Sequence, residues 1–146
     1  MKVNLFVSKD IEEPYADIHT NELTGNVTKA ISILESEDSN EMLAVKKGSD
    51  IIFLEFSDIY MFRVENKQVK VYTNDREYVI KKPLYQVEEG LDKSFVRISK
   101  TTIVNLKKIE RVAPSLKGMM FIELKNGLKD NISRKYLPSF KEALDL

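Results

Sequence analysis

Residues 93–109 read KSFVRISKTTIVNLKKI. The run is β-branched and apolar at Phe95, Val96, Ile98, Ile103 and Val104, yet it carries Lys93, Arg97, Lys100, Lys107 and Lys108 and no acid. A buried strand alone has no use for that many cations, and a solvated surface alone has no use for that much apolar area. The two sets are compatible if one anchors a core while the other faces an anion. The rest of the chain is read outward from this basic edge.

Upstream and downstream of it, short apolar runs alternate with turn residues, the pattern of a β-rich domain. Strands are predicted over 42–46, 51–56, 59–64, 68–73 and 78–80, with turns at 47–50, 65–67 and 74–75. Pro83, the stripe Leu84, Val87 and Leu91, and Gly90 near the end predict a short helix over 83–91. Beyond the basic run, strands are predicted over 110–112, 119–124 and 128–132. Asn126-Gly127 reads as a two-residue hairpin turn, which wants positive φ at both positions. Ser133 is the expected cap of a last helix over 135–144.

The first forty residues read differently. Val3, Leu5 and Val7 alternate in a predicted strand over 1–7, and 15–19 reads as extended after Pro14. Leu23, Val27, Ile31 and Leu34 then form a helical stripe ending near Glu35, with Thr20 or Asn21 as cap and Gly25 as a weak point inside. The polar run SEDSNE (36–41) is the best boundary in the chain. The expected division is an acidic βα extension over 1–40, dimerising or regulatory, and a second domain over 41–146.

Composition narrows the class. With 146 residues, 42% hydrophobic and 32% charged, the chain allows one compact domain with a small appendage. No apolar run reaches the roughly 18 to 20 residues of a membrane span, and the N-terminus is no secretory signal, so no membrane insertion and a cytoplasmic location are expected. Cysteine is absent, which excludes disulfides and thiolate metal sites. The net charge of zero hides an asymmetry: residues 1–40 hold three lysines and eight acids, a balance of −5, and the remainder holds twenty cations and fifteen acids, a balance of +5.

Catalysis finds no constellation. His19 is the single histidine, and no metal-ligand spacing surrounds it. Glu12-Glu13 and Glu88-Glu89 are adjacent pairs whose side chains diverge. Glycines 25, 48, 90, 118 and 127 are isolated, so no phosphate-cradling loop forms. No catalytic residue, metal, cofactor or small-molecule substrate is expected.

Three colinear blocks carry a resemblance: IIFLEFSDIYMFRVENKQVKVYT (51–73), FVRISKTTIVNLKKIERV (95–112) and MFIELKNGLKDNISRKYLPSFKEAL (120–144). Residues 42–146 resemble the LytTR-type DNA-binding domain of bacterial transcriptional regulators. The resemblance implies a mainly β, β-rich α+β fold of small stacked antiparallel sheets with short helices. It also implies that double-stranded DNA is read in successive major grooves by loops and strand ends, with bending of the duplex. Many relatives carry a phosphate-accepting receiver domain. Forty residues are too few for one, so the chain looks like the shorter, stand-alone regulators.

Carried over residue by residue, the resemblance points to Lys67 and Gln68 at the 65–68 tip, to Arg97, Ser99 and Lys100, and to Arg134 with Lys135. Gln68 suits an adenine edge and Arg134 a guanine, while lysines suit phosphate. The family often has histidine near Ser99, so that contact differs here. Lys107 is added as a phosphate contact. Each has a structural alternative: Arg97 paired to an acid on a sheet face, Lys67 and Lys100 solvated, Gln68 flanking a turn, Arg134 bracing the last helix. Asn105 is expected to satisfy backbone in a sharp turn. The expected protein is a homodimeric DNA-binding transcriptional regulator. Its rival is a module that sequesters a protein partner by strand addition or through the acidic segment.

Overall fold

The computed structural model describes residues 1–35 and 42–146, so the boundary expected at 36–41 lies outside the described residues. The chain divides into two compact units, Met1–Asp38 and Ser39–Leu146. In the first, helix α1 spans Gly25–Glu35. In the second, the order is β1 (Met42–Lys47), β2 (Asp50–Glu55), β3 (Met61–Glu65), β4 (Gln68–Tyr72), β5 (Glu77–Ile80), α2 (Leu84–Glu89), β6 (Phe95–Arg97), β7 (Thr102–Asn105), β8 (Ile109–Pro114), β9 (Met120–Leu124), β10 (Lys129–Ile132) and α3 (Leu137–Ala143).

The strands form three antiparallel sheets: the hairpin β1-β2, a five-stranded sheet in the order β5-β4-β3-β7-β6, and a three-stranded sheet in the order β10-β9-β8. This is the β-rich architecture of small antiparallel sheets that the resemblance implied. In the five-stranded sheet β7 lies between β3 and β6, and all four of its residues are buried. Ile103 packs with Phe62, Phe95, Val45, Leu54, Leu84 and Val87 in one core. Val104 packs with Met61, Ile98, Ile122, Ile132 and Phe140 in another. Alternation along β7 therefore feeds a core on each face of the central sheet. Phe95 edges against both Phe56 and Phe62 at 5.7 Å between ring centroids, the T-shaped contact that aromatic quadrupoles favour.

Two polar side chains are buried in β7 and both are satisfied. Asn105 Nδ2 donates to the Ile59 carbonyl at 2.8 Å, and its Oδ1 accepts from the Lys107 amide at 3.0 Å. It thus braces the turn, as expected. Thr102 Oγ1 donates to Asp130 Oδ2 at 2.7 Å, tying the central sheet to β10.

The structure corrects four local expectations. Residues 1–7 form no strand, and Val3, Leu5, Phe6 and Val7 are exposed; alternation supplies a face, but a strand also needs a ladder partner. Helix α1 begins later than expected: Thr24, not Thr20 or Asn21, accepts from the Val27 amide at 3.3 Å, and Gly25 is its first residue. Ser133 does not cap the last helix with its side chain. Its carbonyl accepts from Tyr136 and Leu137, while its hydroxyl is buried without a hydrogen-bond partner among the described residues. At Asn126-Gly127 only Gly127 has positive φ, at 89°. Leu124 bonds to Leu128 across a three-residue loop, the form in which one left-handed glycine ends the turn.

Candidate nucleic-acid interface

At the β3-β4 tip, Glu65 and Gln68 pair in register. Asn66 and Lys67 connect them, both left-handed with φ of 50° and 63°, the geometry of a two-residue turn that matches strand twist. Lys67 and Gln68 are exposed at this tip. The acid at its base is neutralised: the Glu65 carboxylate accepts from Arg63 Nε at 2.7 Å and Tyr72 Oη at 2.8 Å, and meets Lys70 Nζ at 3.2 Å. The Tyr72 hydrogen bond is the main cause that holds the Glu65 carboxyl below its ordinary value, with Arg63 and Lys70 adding to it against partial burial. Burial, and then the bond to Glu65, push the Tyr72 phenol up, so it remains a donor. An anion approaching the tip therefore meets little residual negative charge from Glu65.

The second candidate loop lies between β6 and β7. Arg97 holds it: Nε donates to the Ser99 carbonyl at 3.0 Å, Nη2 to the Lys100 carbonyl at 2.6 Å, and Nη1 to Glu88 Oε2 at 2.9 Å. Arg97 is thus paired to an acid and braces a loop. Ser99 Oγ accepts from the Thr101 amide at 3.2 Å, a local turn bond. Lys100 is exposed on the loop so formed.

The third loop joins β10 to α3. Arg134 and Lys135 are exposed there. Arg134 Nη2 donates to the Lys117 carbonyl at 3.0 Å, in the connection between β8 and β9. Lys135 Nζ lies 5.6 Å from the Tyr136 ring centroid.

Backbone bonds stitch these loops in series. The Val64 amide donates to the Thr101 carbonyl at 2.8 Å, which fastens the 98–101 loop beside the β3-β4 tip. The Ser133 amide donates to the Ile98 carbonyl at 2.9 Å, which fastens the same loop beside Arg134. Lys67, Gln68, Ser99, Lys100, Arg134 and Lys135 are thereby brought to neighbouring loops. None of Lys67, Lys100, Arg134 and Lys135 is in an ion pair among the described residues.

Lys107 is not brought to them. It sits in the helical turn after β7, while Lys100 lies before β7. The four residues of that strand separate the two, roughly 13 Å of strand rise. Sequence reading also passed over Leu116, at the β8-β9 connection beside Arg134, because a lone leucine between Ser115 and Lys117 matches no motif. Its signal is exposure, which only the structure gives.

Residues 49–145 match the family model described as the LytTr DNA-binding domain. A transcriptional regulator of Staphylococcus aureus strain NCTC 8325, named as HTH-type, is 34% identical over 146 residues, covering 100% of this chain and 99% of its own. The corresponding protein of strain N315 matches with the same identity and coverage. A LytTr DNA-binding domain of Bacillus cereus superposes with a TM-score of 0.68 at 23% identity, over 73% of this chain and 99% of its own. No helix among the described residues is long and apolar enough to cross a membrane.

Proposed function

The chain belongs to the LytTr DNA-binding domain family, and on that premise we propose that it is a transcriptional regulator whose 66–68, 99–100 and 134–135 loops read DNA. The observation that carries this reading is the pair of backbone bonds, Val64 to Thr101 and Ser133 to Ile98, which set three exposed basic loops side by side. Lys67, Lys100 and Lys135 neutralise phosphates; Gln68 and Arg134 reach base edges in the major groove. Ser99 and Arg97 shape the middle loop rather than read sequence. Bending of the duplex lets the row of loops engage successive grooves. Affinity then comes mainly from phosphate contacts and specificity from a few side chains.

The protein works by binding, with no catalytic step, in the cytoplasm where its DNA lies. It acts as a homodimer on paired half-sites, where the second contact benefits from effective concentration. Selection of bound sequences from random duplexes tests this, followed by titration across salt. The expected result is an enriched motif, with log K falling linearly against log salt at a slope of about −0.9 per phosphate neutralised. Absence of retention on any duplex at low salt refutes it.

A further inference from the structure

Leu116 is 87% exposed, so it adds little to the core that holds the domain together. The loop that carries it is nonetheless fixed. The Ser115 amide donates to the Met119 carbonyl at 2.7 Å and closes it at the base. Lys117 and Gly118 follow Leu116 in left-handed conformations, with φ of 64° and 71°. A left-handed lysine is strained relative to ordinary backbone, because its Cβ crowds the following carbonyl oxygen. Such strain persists only where the surroundings impose it. Here the Arg134 guanidinium clamps the Lys117 carbonyl at 3.0 Å. The result is an apolar side chain held out at a tip whose backbone Arg134 grips, with Lys117 next to it and no acid between Ala113 and Met119.

We propose that Leu116 is a specificity-determining residue that packs on the C5-methyl of a thymine in the groove entered by Arg134. This rests on the reading of Arg134 as a DNA contact. The chemistry follows from what the major groove displays. Guanine offers acceptors to an arginine, and thymine alone offers a methyl group to an apolar side chain. An exposed leucine fixed beside an arginine fits a base step that holds both, and gains the burial it lacks in the free protein. Lys117 and Lys135 keep the surrounding tip attractive to phosphate. A leucine among cations also suits an anionic membrane surface. DNA is favoured because the chain belongs to a DNA-binding domain family and Arg134 adjoins the loops proposed to read it.

The test uses full-length protein and its best-bound selected duplex, with each thymine replaced in turn by deoxyuridine, which removes only the methyl. Wild type is expected to lose about three- to fivefold in affinity at one or two thymines per half-site, the value of one buried methyl. Leu116→Ala is expected to bind the thymine duplex that much more weakly and to be indifferent to deoxyuridine at those positions, while keeping any other sensitivity. Equal losses for wild type and variant at every thymine overturn the proposal, as does a wild type indifferent to all of them. Capture by phosphatidylserine vesicles that Leu116→Ala abolishes, with DNA affinity unchanged, assigns the tip to a membrane instead. A wild type that binds no duplex overturns the DNA reading itself, a result distinct from a bound duplex with no methyl effect.

Discussion

The Arg97 guanidinium donates to the Lys100 carbonyl at 2.6 Å, so one cation of the basic run holds the backbone of the next. With Ser99 and Glu88 as its other partners, Arg97 shapes the loop, and Lys100 faces outward.

Arg97→Ala is therefore expected to cost about 1 to 3 kcal/mol of stability, the range for hydrogen bonds to a charged group. It should also weaken binding to preferred and random duplexes alike, because the loop that presents Lys100 loosens. Lys100→Ala, at an exposed position, should leave stability within about 0.5 kcal/mol and still weaken binding. Arg97→Lys keeps the charge but not the planar fork, and should recover only part of the loss. Urea unfolding paired with fluorescence titration measures both effects. Full stability in Arg97→Ala with loss confined to the preferred sequence would instead identify Arg97 as a reader.

Glu65 predicts a pH dependence. Its folded pKa lies below the ordinary carboxyl value, chiefly through the Tyr72 hydrogen bond. The unfolded chain then binds this proton more readily than the folded one, so stability rises with pH through the carboxylate range. The Glu65 contribution is complete above the unfolded value and is lost as pH falls through the lower folded value. Glu123, lowered first by its hydrogen bond from Arg111, contributes in the same direction. Urea midpoints taken from about pH 6 down to pH 3 should fall, and Glu65→Gln should flatten that fall while leaving the Glu123 part. An unchanged slope in Glu65→Gln would contradict the network.

Readers and positioners should separate by sequence dependence. Arg134→Ala and Gln68→Ala are expected to cost about 1 to 3 kcal/mol on the preferred duplex and less on random DNA. Lys107→Ala is the contrast. If it meets only phosphate, from the far end of β7 relative to Lys100, the change should weaken both duplexes equally and reduce the salt slope by about one unit. If Lys107→Ala has no effect, Lys107 lies outside the interface. Far-UV circular dichroism of Arg134→Ala checks the bracing alternative, since its bond to the Lys117 carbonyl also ties two loops together.

The fold was legible where one physical rule acted alone. Ile103 and Val104 read as core, though not as feeding a separate core on each side of a sheet, and Asn105 in a turn marks a side chain satisfying backbone. What escaped reading depended on tertiary placement. Lys100 and Lys107 look like one basic edge in the sequence, but a buried strand lies between them. Arg97 reads equally as a DNA contact or as paired to an acid, and only the fold shows that Glu88 is the acid and that the carbonyls of its own loop take the other donors. Ser133 has the right type for a cap, yet its backbone takes that part. Residues 1–7 have the pattern of a strand, and pattern does not supply a partner strand.

That missing partner motivates the last prediction. Val3, Leu5, Phe6 and Val7 are exposed in a segment without a ladder, and Phe6, at 82% exposure, is a large aromatic surface left in water. Leu34 of α1 is exposed as well. DNA is no cover for them, since residues 1–40 carry a balance of −5 and phosphate repels them at short range even after screening. A second copy of the chain supplies both an apolar surface and backbone donors and acceptors of the same kind. Deleting residues 1–40 should therefore leave a folded domain that binds a single half-site with nearly unchanged affinity. The same deletion should lower the sedimenting mass of the free protein and abolish cooperativity on a duplex with two half-sites. Phe6→Lys in the full chain should reproduce the loss of mass without shortening the protein. Full-length protein that sediments as a monomer at tens of micromolar, with and without DNA, would refute the dimerising role of this segment.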